Sequence, residues 1–357
     1  MMGIWIYMDN NMDTPPLKIS PEVLRIVASI DEFKGAWRAF QNIAPDRLNL
    51  LRKVATVESV GSSTRIEGVK LTDSEIERLL SGVGLKHFRS RDEQEVAGYA
   101  DAMNLIFESY NDIPVTENHI KQLHQILLKH STKDVRHRGE YKKLSNNVEA
   151  FDADGKSVGL IFETATPFDT PQKMKELVEW FNRETTANRH HKLILTAIFI
   201  VNFLAIHPFQ DGNGRLSRVL TTLFLLKAGY LYVPYSSLER VIEENKDRYY
   251  LALRRAQANL YTDNAQIGDW IIFFLQSLKK QVDVLAKKLE REKELLATPK
   301  LTQDILVAAR EQGRVTVREL QRLTGVSRNT IKAHLKSLVE KRLLTQEGKG
   351  KGTWYHP

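Results

Sequence analysis

The hydrophobic and polar positions read as helical nearly throughout, in segments closed by recognisable punctuation. Pro15-Pro16 and Ser20-Pro21 open the first predicted helix, because proline is tolerated in a first turn and a serine hydroxyl can cap it. A second helix is predicted from about Asp46 to Arg65, and Thr72 starts a third, with Asp73 and Glu75 favouring its positive end. Others follow from about Glu93 to Ser109, Thr116 to Lys129, Thr170 to Arg183, His191 to Ile206, Leu216 to Lys227, Ser237 to Leu260 and Gln266 to Ala297. The fold class is mainly α.

One region breaks the pattern. Between Ser145 and Thr170, Asp154-Gly155 signals a turn and Val158, Leu160 and Phe162 alternate, which predicts a small β-hairpin. The longest stretch without formal charge runs from Leu193 to Gln210, and its strongly apolar part ends at Ile206, short of the ~20 residues of a membrane span. It reads as a buried core helix. In the segment from Gln266 to Ala297, the heptad candidates Val282, Leu285, Leu289 and Leu296 are interrupted by Glu292, amid a run dense in Lys and Glu from Lys279. A solvated connector is expected there. Thr298-Pro299 marks a boundary, beyond which helices are predicted from about Thr302 to Glu311, Thr316 to Leu323 and Ser327 to Glu340, with Gly325 in the last tight turn. A glycine-rich basic stretch, Glu347 to Gly352, follows. No internal repeat or low-complexity segment is apparent.

Composition narrows the chemistry. The chain has 357 residues, of which 42% are apolar, enough to bury a core and, at roughly 150 residues per domain, to form two or three domains. It contains no cysteine, which excludes disulfides, thiolate catalysis and cysteine-ligated metals. Met1 to Met8 are apolar but lack a basic flank, so neither a signal peptide nor a membrane anchor is indicated, and a cytoplasmic location is expected. The histidines at 119, 124, 130, 137, 190 and 191 show no metal-binding spacing supported by a second motif, and no role is assigned to them.

The chemistry concentrates in one loop, His207-Pro208-Phe209-Gln210-Asp211-Gly212-Asn213-Gly214-Arg215-Leu216-Ser217-Arg218. Two glycines around an asparagine before a helix let the backbone turn tightly and present N–H groups, and the positive end of the following helix completes an anion site. Arg215 and Arg218, three residues apart, can flank one anion, and paired guanidinium groups suit a polyphosphate. Asp211 is a hard oxygen ligand of the kind that holds Mg²⁺ beside a nucleotide. His207 is the natural general base. Phe209 reads as a buried anchor, and no Walker loop is present.

From His207 to Arg218 the sequence resembles the signature of Fic domain proteins, His-x-Phe-x-Asp-Gly-Asn-Gly-Arg-x-x-Arg, matched at every specified position. The resemblance implies an α-helical enzyme that transfers AMP from ATP to a Ser, Thr or Tyr hydroxyl of a target protein, itself included among the candidates, with release of pyrophosphate. In that family role His207 deprotonates the hydroxyl, Asp211 holds Mg²⁺, and the ATP phosphates are bound by Gly212, Asn213, Gly214, Arg215, Leu216, Ser217 and Arg218. The hairpin around Val158 to Thr164 would pair with an extended target segment, as a flap does in the family. Tyr250, of the pair Tyr249-Tyr250, is the candidate adenine contact.

Beside that signature, Ser63 and Glu67, four apart on one helical face in Ser63-Thr64-Arg65-Ile66-Glu67-Gly68, resemble the inhibitory motif of one class of the family. The implied contact is Glu67 with Arg218. The last segment resembles a winged helix-turn-helix domain, with Arg328, Asn329, Thr330 and Lys332 near the start of a recognition helix and Lys349 and Lys351 on a wing. From Lys300 to Pro357 there are twelve Lys and Arg against five Asp and Glu, so seven of the chain's eight net positive charges lie there. An anionic partner, DNA, is therefore expected of that module rather than of the enzyme core.

The resulting division is 1–110 as an N-terminal helical region with the inhibitory helix at about 46–67, 111–265 as the catalytic core, 266–297 as the connector and 298–357 as the winged helix. Alternatives left open by the sequence are a DNA-binding regulator whose Fic domain senses nucleotide, and a Fic enzyme that removes AMP or transfers another phosphate-containing group. A homo-oligomer is compatible with all of these, and no membrane partner is expected.

Overall fold

A computed structural model describes residues 20–40, 45–82, 88, 90–151, 157–258, 260, 267–296, 299–348 and 350–357, with backbone only at 148–151, 157–162, 293–296 and 351. The chain divides into two compact units, Met1–Leu285 and Ala286–Pro357. The first contains α1 (Pro21–Phe40), α2 (Pro45–Ile66), α3 (Asp73–Ser81), α4 (Arg91–Ser109), α5 (Glu117–Leu127), β1 (Val148–Phe151), β2 (Ser157–Phe162), α6 (Thr170–Ala187), α7 (Lys192–Ile206), α8 (Asn213–Lys227), α9 (Leu238–Glu244) and α10 (Lys246–Ala258). The division falls within α11 (Ile267–Leu296).

At the centre of the first unit, α7 is buried at every position from Leu193 to Ile206, as its uncharged sequence predicts. It packs between α6, α8 and α10. The indole N–H of Trp270 donates to the Ala197 carbonyl at 2.7 Å. Among the described residues, no helix is long and apolar enough to cross a membrane.

α2 lies against α3, α4, α8 and α9, and its last two turns are buried although they read Ser59-Val60-Gly61-Ser62-Ser63-Thr64. Such a polar face can be buried because its hydroxyls have partners: Thr64 donates to the Val60 carbonyl at 2.8 Å, and Ser63 accepts from Arg218. β1 and β2 form the expected antiparallel hairpin. Its proposed turn at Asp154-Gly155 lies outside the described residues, as does Pro15-Pro16.

Three expectations are corrected. α8 begins at Asn213 rather than Leu216, because Gly212 takes a left-handed turn (φ 81°) and the Asn213 side chain closes the loop before it. The segment expected as one helix from Ser237 to Leu260 breaks at Asn245, whose side-chain amide donates to the Val241 carbonyl at 2.8 Å. The expected solvated connector has a covered face. Val282, Leu285 and Leu289 are buried, and their three- and four-residue spacing makes one apolar stripe.

In the second unit α12 (Lys300–Gln312), α13 (Val317–Thr324) and α14 (Arg328–Glu340) enclose a core of Ile305, Leu320, Ile331, Leu335 and Leu338. The antiparallel pair β3 (Thr345–Glu347) and β4 (Trp354–His356) forms the wing, and Tyr355 pairs with Val315. Gly325, at φ 68°, makes the left-handed turn between α13 and α14.

Candidate active site

His207 terminates α7 in a left-handed conformation (φ 52°), which turns the chain sharply into the loop. Its Nδ1 lies 3.3 Å from the Leu204 carbonyl. A carbonyl can only accept, so this contact assigns the proton to Nδ1 and leaves Nε2 as the lone-pair nitrogen. Burial pushes the His207 pKa down to about 4, with the nearby Lys142 ammonium adding to the effect, against the Leu204 carbonyl, Glu67 and Asp211. The imidazole is therefore neutral at neutral pH.

Phe209 is fully buried, as predicted, and stacks on His124 with ring centroids 3.9 Å apart. Asn213 then ties the loop into a closed ring: its Oδ1 accepts from the Phe209 N–H at 2.9 Å and its Nδ2 donates to the Phe209 carbonyl at 2.6 Å. Its side chain serves the loop and leaves only its backbone N–H for an anion. His124 supports the same turn. Its Nδ1 accepts from the Gly139 N–H at 2.8 Å, so its Nε2 is the donor to the Asp211 carbonyl at 2.9 Å.

The first turn of a helix has N–H groups without intrahelical acceptors, here those of Asn213, Gly214 and Arg215. These form the anion-binding end, and the next N–H, that of Leu216, already donates to Gly212 at 2.8 Å. The Leu216 side chain is buried, and the Ser217 hydroxyl donates to the Gly214 carbonyl at 2.7 Å. Neither side chain is free for a ligand.

Asp211 accepts from the Gly212 N–H at 2.6 Å and pairs with Arg91 at 3.2 Å and Arg215 at 3.3 Å. Burial opposes its charge, but Arg215, the Gly212 N–H and Arg91 outweigh it and hold the carboxyl below its ordinary range. Arg215, expected to flank a phosphate, is enclosed by two carboxylates. It is 2% exposed and engaged by Asp211 and by Glu95, whose Oε2 lies 2.9 Å from Nη1 but out of line for a hydrogen bond.

Arg218 is 4% exposed and is held from α2: its Nε donates to Ser63 Oγ at 2.8 Å, and its Nη2 donates to the Ser63 carbonyl at 2.9 Å and to Glu67 Oε1 at 2.8 Å. Burial works against this charge, yet the Glu67 carboxylate offsets it and raises the Arg218 pKa. A methyl group on Gly214 would collide with that same carboxylate, which places Glu67 over the first turn of α8. Glu67 thus occupies the surroundings of the anion-binding end.

Tyr249 is buried beside Arg218, whereas Tyr250 is 40% exposed and packs edge-on against it at 5.2 Å. Sequence reasoning passed over Glu95, Arg91, His124, Lys142 and Asn146, all of which touch the loop from elsewhere in the chain. The only signal was indirect: a loop with this many backbone groups needs partners for them.

In the second unit, Arg328, Asn329, Thr330 and Lys332 are exposed at the start of α14, where Ser327 Oγ caps the Thr330 N–H at 3.3 Å. The Thr330 hydroxyl is itself 2.8 Å from Ser327 Oγ. Lys349 lies outside the described residues, and Lys351 belongs to the short turn between the wing strands.

Comparison with known proteins bears on both units. Residues 114–225 match the model of the Fic/DOC family, and residues 299–345 match a winged helix-turn-helix DNA-binding model. The chain is 27% identical to the protein adenylyltransferase Fic of Drosophila grimshawi over 264 residues, 73% of this chain and 49% of that relative. It spans about half the length of the curated Drosophila relatives it matches. A Fic domain containing signaling protein from Bacteroides thetaiotaomicron is 25% identical with a TM-score of 0.59, covering 73% of this chain and 97% of that one. A Fic family protein from Desulfovibrio desulfuricans, 24% identical with a TM-score of 0.61, covers 96% of this chain and 97% of its own.

Proposed function

Since the chain carries a Fic domain followed by a winged helix-turn-helix module, we propose that it is a protein adenylyltransferase held in check by its own Glu67. The observation that carries the reading is the neutral His207, its Nδ1 spent on the Leu204 carbonyl, four residues before a carboxylate and a helix first turn whose N–H groups lack intrahelical acceptors.

ATP would lie with its phosphates on the N–H groups of Asn213, Gly214 and Arg215, where the helix dipole favours negative charge. Nε2 of His207 accepts the proton of the incoming Ser, Thr or Tyr hydroxyl. The new bond joins that oxygen to the α-phosphorus, the bond to the bridging oxygen breaks, and pyrophosphate leaves with its electron pair. Most of the acceleration in such an in-line transfer comes from positioning and charge stabilisation. Asp211 fits a Mg²⁺ site, because its carboxylate is partly exposed, at 34%, and held charged. Among the described residues no cluster of three acidic or histidine side chains is present, so the other ligands would be phosphate oxygens and water. When bound, the ion would neutralise charge on the phosphates.

Glu67 competes with the nucleotide for Arg218. While the carboxylate holds that guanidinium, a γ-phosphate approaching it meets a like charge beside Gly214. The second unit is proposed to bind duplex DNA through Arg328, Asn329, Thr330 and Lys332, with Lys349 and Lys351 as further phosphate contacts. Support comes from the exposure of the recognition-helix residues and the concentration of positive charge in this segment.

The reaction class is tested by incubating the protein with ATP labelled at either the α- or the γ-phosphate. Covalent α-label without γ-label is expected. Covalent γ-label alone would mean phosphoryl transfer and overturn the reading.

A further inference from the structure

The feet of the β1–β2 hairpin converge on the loop that bears His207. Asn146, before β1, donates its Nδ2 to the carbonyls of His207 at 3.2 Å and Phe209 at 2.6 Å. Thr164, after β2, is tied across to that foot: its N–H donates to Asn147 Oδ1 at 3.1 Å and its hydroxyl to Asn146 Oδ1 at 3.0 Å. Lys142 joins all three parts. Its ammonium donates to Asn146 Oδ1 at 2.7 Å, Thr164 Oγ1 at 2.8 Å and the Ile206 carbonyl at 3.0 Å, and its backbone N–H donates to the Pro208 carbonyl at 2.8 Å.

Lys142 is 3% exposed, and its three side-chain acceptors are all neutral. Burying an ammonium is costly, and a carboxylate is the usual compensation. Neutral oxygens compensate less, and the Lys142 pKa is pushed down to about 8 by burial, with Lys173 adding to the effect. Three acceptors nevertheless match the three N–H bonds of a charged lysine. An apolar filler could not make these bonds, so the cation provides connectivity that stability alone does not require.

What it connects is strained. A non-glycine residue in the left-handed region is strained and persists where neighbours over-determine it. His207 is such a residue, and the carbonyls on either side of its Cα, those of Ile206 and His207, are held by Lys142 and Asn146.

We propose that Lys142 is a positioning residue for the reaction, locking the His207 turn to the feet of the hairpin so that the base and the hairpin move as one body. The inference rests on the adenylyltransferase reading, and it goes beyond it in making the hairpin and the base one mechanical unit. A target segment that pairs with β2 is then aligned with Nε2 of His207 by the same contacts that hold the base.

The test uses the full chain in the Glu67→Gly background, with Lys142→Met and Lys142→Arg added separately. Self-labelling from α-labelled ATP is read at saturating ATP across pH, alongside ATP binding and nitrogen-15 NMR of the imidazoles. The charges facing His207 are Lys142 from the segment before β1, Glu67 from the end of α2, removed in this background, and Asp211 from its own loop. Lys142→Met is expected to lower the maximal rate by roughly 10- to 100-fold, the scale of a misplaced catalytic group, while ATP binding changes less than about twofold. Loss of the cation raises the His207 pKa, so the acid limb moves to higher pH, and Lys142→Arg recovers part of the rate. An unchanged rate and histidine titration would overturn the proposal. So would a joint loss of rate and ATP binding, without rescue by arginine, as expected of a merely structural lysine. If the parent Glu67→Gly protein transfers no AMP, the enzyme reading fails, and the nitrogen-15 spectra still decide whether Lys142 positions His207: loss of its Nδ1–H tautomer in Lys142→Met supports that role, and an unchanged tautomer overturns it.

Discussion

Glu67 Oε1 and Arg218 Nη2 lie 2.8 Å apart, joining the end of α2 to the second turn of α8. The arginine is almost fully buried and the glutamate is 31% exposed, so the pair has an outer partner that can leave and an inner one that cannot. Removing the outer partner strands a buried charge.

Stability and ligand binding should therefore be linked through this pair. Glu67→Gly is expected to lower the unfolding free energy of the ATP-free protein by roughly 1–3 kcal/mol, less than a fully buried pair would cost because Glu67 is partly solvated. ATP supplies a replacement anion, so it should raise the melting temperature more in the variant than in wild type. Differential scanning calorimetry with and without ATP checks this, and equal ATP shifts would contradict it.

Gly214 makes a second probe of the same carboxylate. Its missing Cβ gives Glu67 room, so Gly214→Ala should push that flexible carboxylate off Arg218, at a net cost to the wild type of less than about 1 kcal/mol because alanine also favours the helix. In the Glu67→Gly background most of that cost should vanish, because the colliding group is gone. A double-mutant cycle by denaturant unfolding reads the coupling, and strictly additive costs would place the clash elsewhere.

The acid dependence of transfer follows from His207. With its pKa pushed down to about 4, Nε2 is unprotonated above that value, so the rate should hold as pH falls through 6.5 and decline only on approach to about 4. A base of ordinary pKa would show its inflection near 6.5. His207→Ala should remove transfer by roughly 10²- to 10⁴-fold while leaving ATP affinity nearly intact. Loss of ATP affinity in that variant would mark the histidine as structural.

For the second unit, the full chain should bind duplex DNA with an affinity that falls steeply with salt. Arg328→Ala and Lys332→Ala should each weaken it, and a substitution that removes a cation from a phosphate should reduce the salt slope by about 1. Fluorescence anisotropy over a salt series checks this. Binding that ignores both salt and the substitutions would point to a protein partner for this face.

Much of this site could be read from the sequence because its parts are contiguous or one helical turn apart. His207, Asp211 and the start of α8 fall within one loop, and Glu67 directly follows α2, four residues after Ser63. The supporting residues could not be read in that way. Lys142, Asn146, His124 and Glu95 reach the loop across 61 residues or more, and nothing local marks them. Periodicity placed α2 but said nothing of its burial, and it misjudged α11. The buried end of α2 is polar because its hydroxyls have partners there, Ser63 with Arg218, Ser62 with Arg65 and Thr64 with the Val60 carbonyl, and the charge-rich part of α11 still carries an apolar stripe. The main-chain elements otherwise followed their caps closely, as at Thr72, which accepts from the Glu75 N–H while Glu75 reaches back to it.

The most direct measurement compares wild type with Glu67→Gly, each given Mg-ATP labelled at the α-phosphate, and counts covalent label on the chain and on added lysate proteins. An increase of at least about tenfold is predicted, within the range of typical coupling energies between sites. Equal labelling of the two proteins would contradict a brake at Glu67, and no labelling of either would contradict the transferase itself.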